Sequence, residues 1–331
     1  MEQYLAQCVQ SLLSQGAHIA GIEIVIVDDA STDDSRAIAE ALKQRYPHVI
    51  KLFCHAENQG VSATRNRLLE EASGAHIWFV DPDDYVLDGA LAELRAIIDT
   101  YDPDLVLCDY RKSRFATTKS FYGPTRQLSS DIAQLVTGVF KSRKMYCWLR
   151  VSRRSLWRDG PHFPVGKVFE DIATTPWLLL KARNYYYAPS AWIFYRKRAG
   201  SIMDSVARKR EVFDTAKHRD LAVAMAGFKE EMHRQIGADQ APAFYYVADF
   251  SAKEFVKTGL RFLQAGESKR GAGLDLHAFL GLFQACSPIM FDRLATEYLK
   301  RFKIIRYAML KYILYRAKPS HKPVSGDKGP A

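Results

Sequence analysis

The chain has 331 residues, 48% of them hydrophobic, enough to bury a sizeable core as one large domain or as a domain with a helical appendage. Its five cysteines, Cys8, Cys54, Cys108, Cys147 and Cys286, are odd in number and scattered without a C-x-x-C pair. That pattern argues against a disulfide framework or a zinc site and for a reducing compartment. The net charge of +10 is strongly polarised, since residues 1–110 carry 19 acidic and 7 basic side chains and the remainder carries 18 and 40. An acidic half suits a cation-dependent site, and a basic half suits anionic lipid, an anionic substrate, nucleic acid or plain solvated surface. The start has no basic and apolar leader pattern, and no apolar run approaches the ~20 residues of a spanning helix, so the expectation is a cytoplasmic protein.

In chain order, residues 2–15 read as a helix with Leu5, Cys8, Val9, Leu12 and Leu13 on one face, followed by a stop at Gly16 and a strand at 22–27. "STDDSRAIAEALKQRY" reads as a capped helix with Ser31 or Thr32 as N-cap and acids in its first turn. A short strand at 50–54 follows, then the loop "HAENQG", the helix "SATRNRLLEEASG" and the strand "HIWFV", which runs into "DPDD". A helix at 90–100 and the strand "DLVLCDY" complete an alternation that predicts an α/β fold with a doubly wound, mostly parallel sheet. From 111 to 146 the pattern becomes polar and irregular. Residues 205–317 read as helical, and 318–331 as a disordered Pro/Gly/Lys-rich tail.

In open α/β sheets ligands sit outside the carboxyl ends of the strands. Two strands here deliver carboxylates to that place: Asp28 and Asp29 close one, and Asp81, Asp83 and Asp84 close another. A single such Asp is more often a helix cap or an Asx turn. Two clusters in one sheet point instead to a divalent cation and a phosphate ligand, because converging carboxylates repel one another and Mg²⁺ or Mn²⁺ prefers oxygen donors.

The order of pieces resembles the family 2 glycosyltransferases, nucleotide-sugar-dependent enzymes of the GT-A fold. The blocks that carry the resemblance are "SLLSQ" at 11–15, "IVIVDDASTDDS", "ENQGVSATRNRLLEEASGAHIWFVDPDD", "FEDI" at 169–172 and "YRKRAGSIM" at 195–203. The resemblance implies a catalytic domain over 1–204, with a nucleotide-sugar half over 1–110 and an acceptor half over 111–204. It implies Asp29 reading the base, Asp81-Pro82-Asp83 as the D-x-D block with Asp83 on the metal and Asp81 nearer the ribose, and Asp84 assisting or capping. Arg65 would face the diphosphate or the acidic cluster, Asp171 would be the general base and Glu170 would orient the acceptor. Tyr195, Arg196, Arg198 and Ser201 fill a block where a basic side chain meets phosphate. The implied activity is inverting, metal-dependent transfer from a nucleotide sugar, UDP-linked for preference, to a hydroxyl of a glycan or lipid-linked glycan in cell-surface polysaccharide synthesis.

The sequence departs from the family in two places. The hydrophobic strand and "P-x-Y-N"-like turn that normally precede the first helix have no counterpart, so the expectation is either a start placed too late, which the intact later blocks favour, or a shortened and impaired scaffold. Ala30 stands where Gly is common. A phosphorylation-receiver module also ends a strand in paired acids, but it would not carry the Arg65 helix and "FEDI". His55, His76 and His162 lack partners at metal-ligand spacing and read as solvated or core residues. The "SRRSLWR" cluster has no nucleic-acid motif around it, so no nucleic-acid partner is expected. The C-terminal stretch with Lys300, Arg301, Lys303, Arg306, Lys311 and Arg316 among many aromatics suits a membrane-surface helix on a peripheral protein, and equally packing on the catalytic domain or a dimer partner.

Overall fold

The structure, a computed structural model, describes residues 1–16, 21–197, 213–237, 242–265 and 275–318. Helix α1 (Glu2–Gly16) buries Leu5, Cys8, Val9 and Leu13, the stripe its spacing predicts. Strand β1 (Ile24–Asp28), helix α2 (Ser35–Arg45), strand β2 (Ile50–Cys54) and helix α3 (Val61–Glu71) follow. Helix α2 begins later than the Ser31 or Thr32 cap predicts, with Asp34 at its N-cap. The Asp33 carboxylate accepts the Ser35 N–H at 3.1 Å and the Asp28 carboxylate accepts the Ser31 N–H at 3.3 Å, so these polar residues build the turn rather than the helix.

Next come β3 (His76–Trp78), β4 (Tyr85–Val86), α4 (Ala90–Tyr101), β5 (Leu105–Arg111), the two-residue strands β6 (Thr117–Thr118) and β7 (Leu128–Ser129), α5 (Ile132–Ser142), β8 (Arg150–Arg153), α6 (Glu170–Lys181) and β9 (Tyr185–Phe194). One sheet pairs β1 with β2 in parallel, Ile24 opposite Ile50 through Asp28 opposite Cys54. The larger sheet runs β3-β8-β5-β9-β4, with β6 on β5 and β7 on β9. In it only β5 and β9 are parallel, whereas β8 lies antiparallel to both β3 and β5, and β4 antiparallel to β9. The sheet is therefore mixed rather than mostly parallel. Helical crossovers make parallel neighbours, but β8 is reached from α5 through a short 3₁₀ turn at Cys147–Leu149 and inserts in the opposite sense. Its sequence, Arg-Val-Ser-Arg, has no aliphatic run to announce it.

Among the described strands no ladder joins β1 and β2 to the larger sheet. They have a core of their own with α1 and α2, built on Leu5, Val9, Leu13, Ile24, Ala39 and Ile50. The Glu23 carboxylate ties this unit to the start of β3 by accepting the Ser73 and Gly74 N–H groups at 2.6 and 2.7 Å.

The described part of the C-terminal region is helical: α7 (Thr215–Val223), α8 (Phe228–Ile236), α9 (Pro242–Gln264), α10 (Leu276–Ala285), α11 (Phe291–Lys300) and α12 (Ile304–Arg316). Phe244, Val247 and Phe250 of α9 share a core with Leu135, Val139 and Phe140 of α5, so these helices extend the α/β core. Buried Asp249 accepts from Arg143, from the Tyr298 hydroxyl at 2.8 Å and from Arg306 Nη1 at 2.6 Å, which fastens α5, α11 and α12 to α9. Burial works to raise its pKa, but the two guanidiniums and the hydroxyl hold it below the usual carboxylate range.

Candidate active site

The site starts at the carboxyl end of β1. Asp28 is buried and caps its own turn through Ser31. Asp29 reaches across to the loop before α3, accepting from Gln59 N and Gly60 N at 2.8 Å each, with the His55 ring nitrogen Nδ1 2.7 Å from Oδ1. Burial acts to raise the Asp29 pKa, and these donors outweigh it and lower it. His55, expected to be solvated or a core residue, is the partner that sequence reading missed. Gly60 has φ +86, which lets the loop turn into α3 while presenting its N–H to Asp29. Ala30 sits at φ 53, the left-handed region that glycine enters at less cost.

One turn into α3, Arg65 is buried rather than exposed on the helix surface. Its Nη1 donates to Glu170 Oε1 at 2.9 Å and to Asp171 Oδ1 at 3.0 Å, and its Nη2 to Asp81 Oδ1 at 3.3 Å. The guanidinium carbon lies 5.3 Å from the Phe163 ring centroid. One planar fork thus joins the D-x-D turn, 16 residues further along the chain, to the FEDI block, 105 or more residues along. Burial would lower the Arg65 pKa, but the surrounding acidic groups raise it, so the cation is permanent.

Glu170 and Asp171 form the first turn of α6, where the helix dipole favours anions. Neither caps the helix by side chain. The N-cap is Phe169, held at φ 64 and ψ 37, a strained conformation for an aromatic residue that aims the two carboxylates at Arg65. Asp171 Oδ1 also accepts the Cys147 N–H at 3.3 Å. Burial pushes Asp171 up to about 6, with Arg65 holding it down and Glu170 and Asp81 pressing it upward.

The turn after β3 gathers Asp81, Asp83 and Asp84, whose ligand atoms lie within 4.8 Å of one another. Asp84 Oδ1 accepts the Arg196 N–H at 2.8 Å, while Asp84 Oδ2 is buried and has no hydrogen-bond partner among the described residues. Burial first, then Asp81 and Asp83, pushes Asp84 up to about 7; burial likewise raises Asp81. An orphaned buried oxygen beside two further carboxylates is a donor set that fits a hard divalent cation. Arg196 is engaged with the protein: Nε donates to the Asp83 carbonyl at 2.9 Å, Nη2 to Gln7 Oε1 at 2.6 Å, and the guanidinium lies 4.6 Å from the Tyr4 ring centroid. It clamps the acidic turn to α1. Tyr195 stacks on Trp148, which stacks on Tyr146, forming an aromatic wall behind the site. Arg198 and Ser201 lie outside the described residues. In the "SRRSLWR" segment Arg153 pairs with Asp104 at 2.9 Å, and the Trp157 indole donates to Ser152 Oγ at 2.8 Å, both holding the sheet together.

The family model described as glycosyl transferase family 2 matches residues 2–153. Glycosyltransferase GlyG of Streptococcus pneumoniae is 29% identical over 66% of this chain and 73% of its own length. The minor teichoic acid biosynthesis protein GgaB of Bacillus subtilis is 32% identical over 32% of this chain, a match spanning only 12% of GgaB. S. aureus TarS 1-349, solved in complex with UDP-GlcNAc, superimposes with a TM-score of 0.70 at 21% identity, covering 95% of this chain and 88% of that one. Residues 2–153 thus match the glycosyl transferase family 2 model with the motif blocks in that family's order, and the fold has the α/β architecture of the TarS structure.

Proposed function

We propose that the chain is an inverting, metal-dependent hexosyltransferase that moves a sugar from a UDP-linked donor to a hydroxyl of a glycan or lipid-linked glycan in cell-surface polysaccharide synthesis. The observation that carries the reading is the Arg65 junction, which sets the FEDI carboxylates beside the D-x-D turn. Asp171 is the base: Arg65 and the Cys147 N–H orient its carboxylate, which takes the acceptor proton as the hydroxyl oxygen attacks the anomeric carbon. Glu170 shares the Arg65 cation and orients the acceptor. Asp83, Asp81 and Asp84 are the residues that would hold Mn²⁺ or Mg²⁺, which when bound supplies Lewis-acid stabilisation of the diphosphate leaving group. Asp28 and Asp29 shape the nucleotide end, where the loop fastened by Asp29 meets the base, and Arg196 holds the acidic turn in register. The donor assignment draws support from UDP-GlcNAc in the TarS complex, and the pathway from the name of GgaB.

A second reading, a binding or scaffold protein without turnover, takes its support from β1 and β2 standing apart from the larger sheet. Calorimetric titration of UDP with and without Mn²⁺, on wild type, Asp83→Asn and Asp171→Asn, separates the two. The enzyme reading expects metal-dependent binding lost in Asp83→Asn, and binding kept but transfer from UDP-sugars lost in Asp171→Asn. A folded wild type that binds no UDP in metal, or binds it without turning over any UDP-hexose, would put the scaffold reading first.

A further inference from the structure

The last described helix is apolar on two faces. Leu310, Ile313 and Leu314 of α12 are buried against α9 and α11. On the opposite side, at 100° per residue, Ile304, Ile305, Ala308, Met309, Tyr312 and Tyr315 share an arc of about 140° and are exposed, Ile305 to 76% and Tyr315 to 69%. Phe302, in the turn between α11 and α12, is 88% exposed and held at φ 54, a left-handed conformation that glycine takes at less cost. Among the described residues nothing packs over this strained, solvent-facing aromatic and the apolar helix face beside it.

The charges around this face say what covers it. From Tyr298 to Gly326 the sequence holds no acidic residue, whereas Lys300, Arg301, Lys303, Arg306, Lys311, Arg316, Lys318 and Lys322 all fall in that stretch. Lys311 borders the apolar arc beside Ile304, Arg316 falls within it between Ile305 and Met309 at its C-terminal end, and Lys300 and Arg301 precede Phe302 in the chain. Through space Glu297 pairs with Lys300 and Arg301, Asp249 with Arg306 and Asp292 with Lys311, which leaves the basic groups in excess, so a second copy would still set like-charged rims against each other. An anionic lipid surface supplies both halves of the match, acyl chains for the apolar face and headgroup phosphates for the rim. At 13 residues α12 is about 20 Å long, shorter than a ~30 Å hydrocarbon core, and no described helix is long and apolar enough to cross a membrane. We propose that α12 and the Phe302 turn dock the protein in the plane of an anionic membrane surface, with Phe302 and Ile305 inserted as apolar anchors.

The test is flotation of the full chain with vesicles of phosphatidylcholine alone and with about one-third phosphatidylglycerol. Wild type is expected to float with the anionic vesicles, about tenfold or more better than with neutral ones, and to release as salt rises. Phe302→Ser/Ile305→Ser should lower partitioning by roughly tenfold or more with circular dichroism and UDP binding unchanged, since both side chains lie outside the core. Lys300→Glu/Arg316→Glu, also at exposed positions, should abolish the preference for anionic vesicles. Wild type remaining unbound on anionic vesicles would overturn the proposal. So would undiminished flotation of both double variants, or a wild-type dimer by light scattering that Phe302→Ser/Ile305→Ser turns into monomer.

Discussion

Replacing Arg65 by Met keeps most of the aliphatic stem and removes the cation that Asp81, Glu170 and Asp171 share. The contacts to Glu170 and Asp171, at 2.9 and 3.0 Å, join side chains that are 18% exposed or less, so they carry full weight; the 3.3 Å contact to Asp81, which is 33% exposed, is discounted for screening. Hydrogen bonds to charged groups contribute about 1.5–3 kcal/mol each, and removing one partner of a buried ion pair costs about 3–5 kcal/mol, which places Arg65→Met at about 3–4 kcal/mol of lost stability near pH 8. The deficit carries a definite pH sign. Burial already sets Asp171 at about 6, and Arg65 is the chief influence holding it down. Without Arg65 the folded-state value rises further above the unfolded ~3.9, the folded chain binds more protons than the unfolded one across that window, and stability falls as pH rises through it. The assay is urea unfolding of wild type and Arg65→Met at about pH 5 and about pH 8, with the deficit small at the lower value and full at the higher. A deficit equal at both pH values, or none at either, would refute the idea that Arg65 acts as a shared counter-charge. Arg65→Lys should recover only part of the loss, because one ammonium cannot serve three carboxylates on a planar fork.

Other outcomes follow from single positions. Ala30→Gly relieves a left-handed alanine at φ 53 and should stabilise by about 0.5–1 kcal/mol, read as a raised melting temperature; a lowered one would contradict the strain argument. Gly138→Ala would drive a methyl group into the Phe121 ring and within 2.6 Å of the Tyr122 carbonyl, destabilising by about 1–3 kcal/mol in chemical denaturation. If Asp171 is the base, kcat/KM should fall about tenfold per pH unit below its value of about 6, and initial rates that stay flat to pH 5 would remove it from that role.

The parts of the site legible in the sequence are those written contiguously. Asp28-Asp29, Asp81-Pro82-Asp83-Asp84 and Glu170-Asp171 each follow an aliphatic or aromatic run, and the ends of such runs are where a sheet presents groups to a ligand. The resemblance placed Arg65 toward the acidic cluster, but its FEDI partners and the His55 contact were not legible. Arg65 meets partners more than a hundred residues ahead, and His55 meets Asp29 across the β1–β2 pair, so both contacts depend on tertiary placement that no local spacing encodes. Strand β8 escaped notice because Arg150 and Arg153 interrupt its apolar pattern, and its antiparallel insertion turned a predicted parallel sheet into a mixed one. For α12 the periodicity was ambiguous for a physical reason: with apolar residues on two faces its sequence shows no single stripe, and only the packing of Leu310, Ile313 and Leu314 tells which face is left outside.

Strands β1 and β2, with α1 and α2, share a core of their own and no ladder joins them to the other described strands, while Leu105–Tyr110 of β5 are buried throughout and flanked on both sides. Amide protons of 24–28 and 50–54 should therefore exchange with solvent through a local opening well below the free energy of global unfolding, and those of 105–110 only at the global limit. The loop that Asp29 fastens rides on the looser unit and the Asp171 carboxylate on the firmer one. That loop runs directly into α3, so opening of the first unit reaches the second through Arg65, which holds the Asp171 carboxylate.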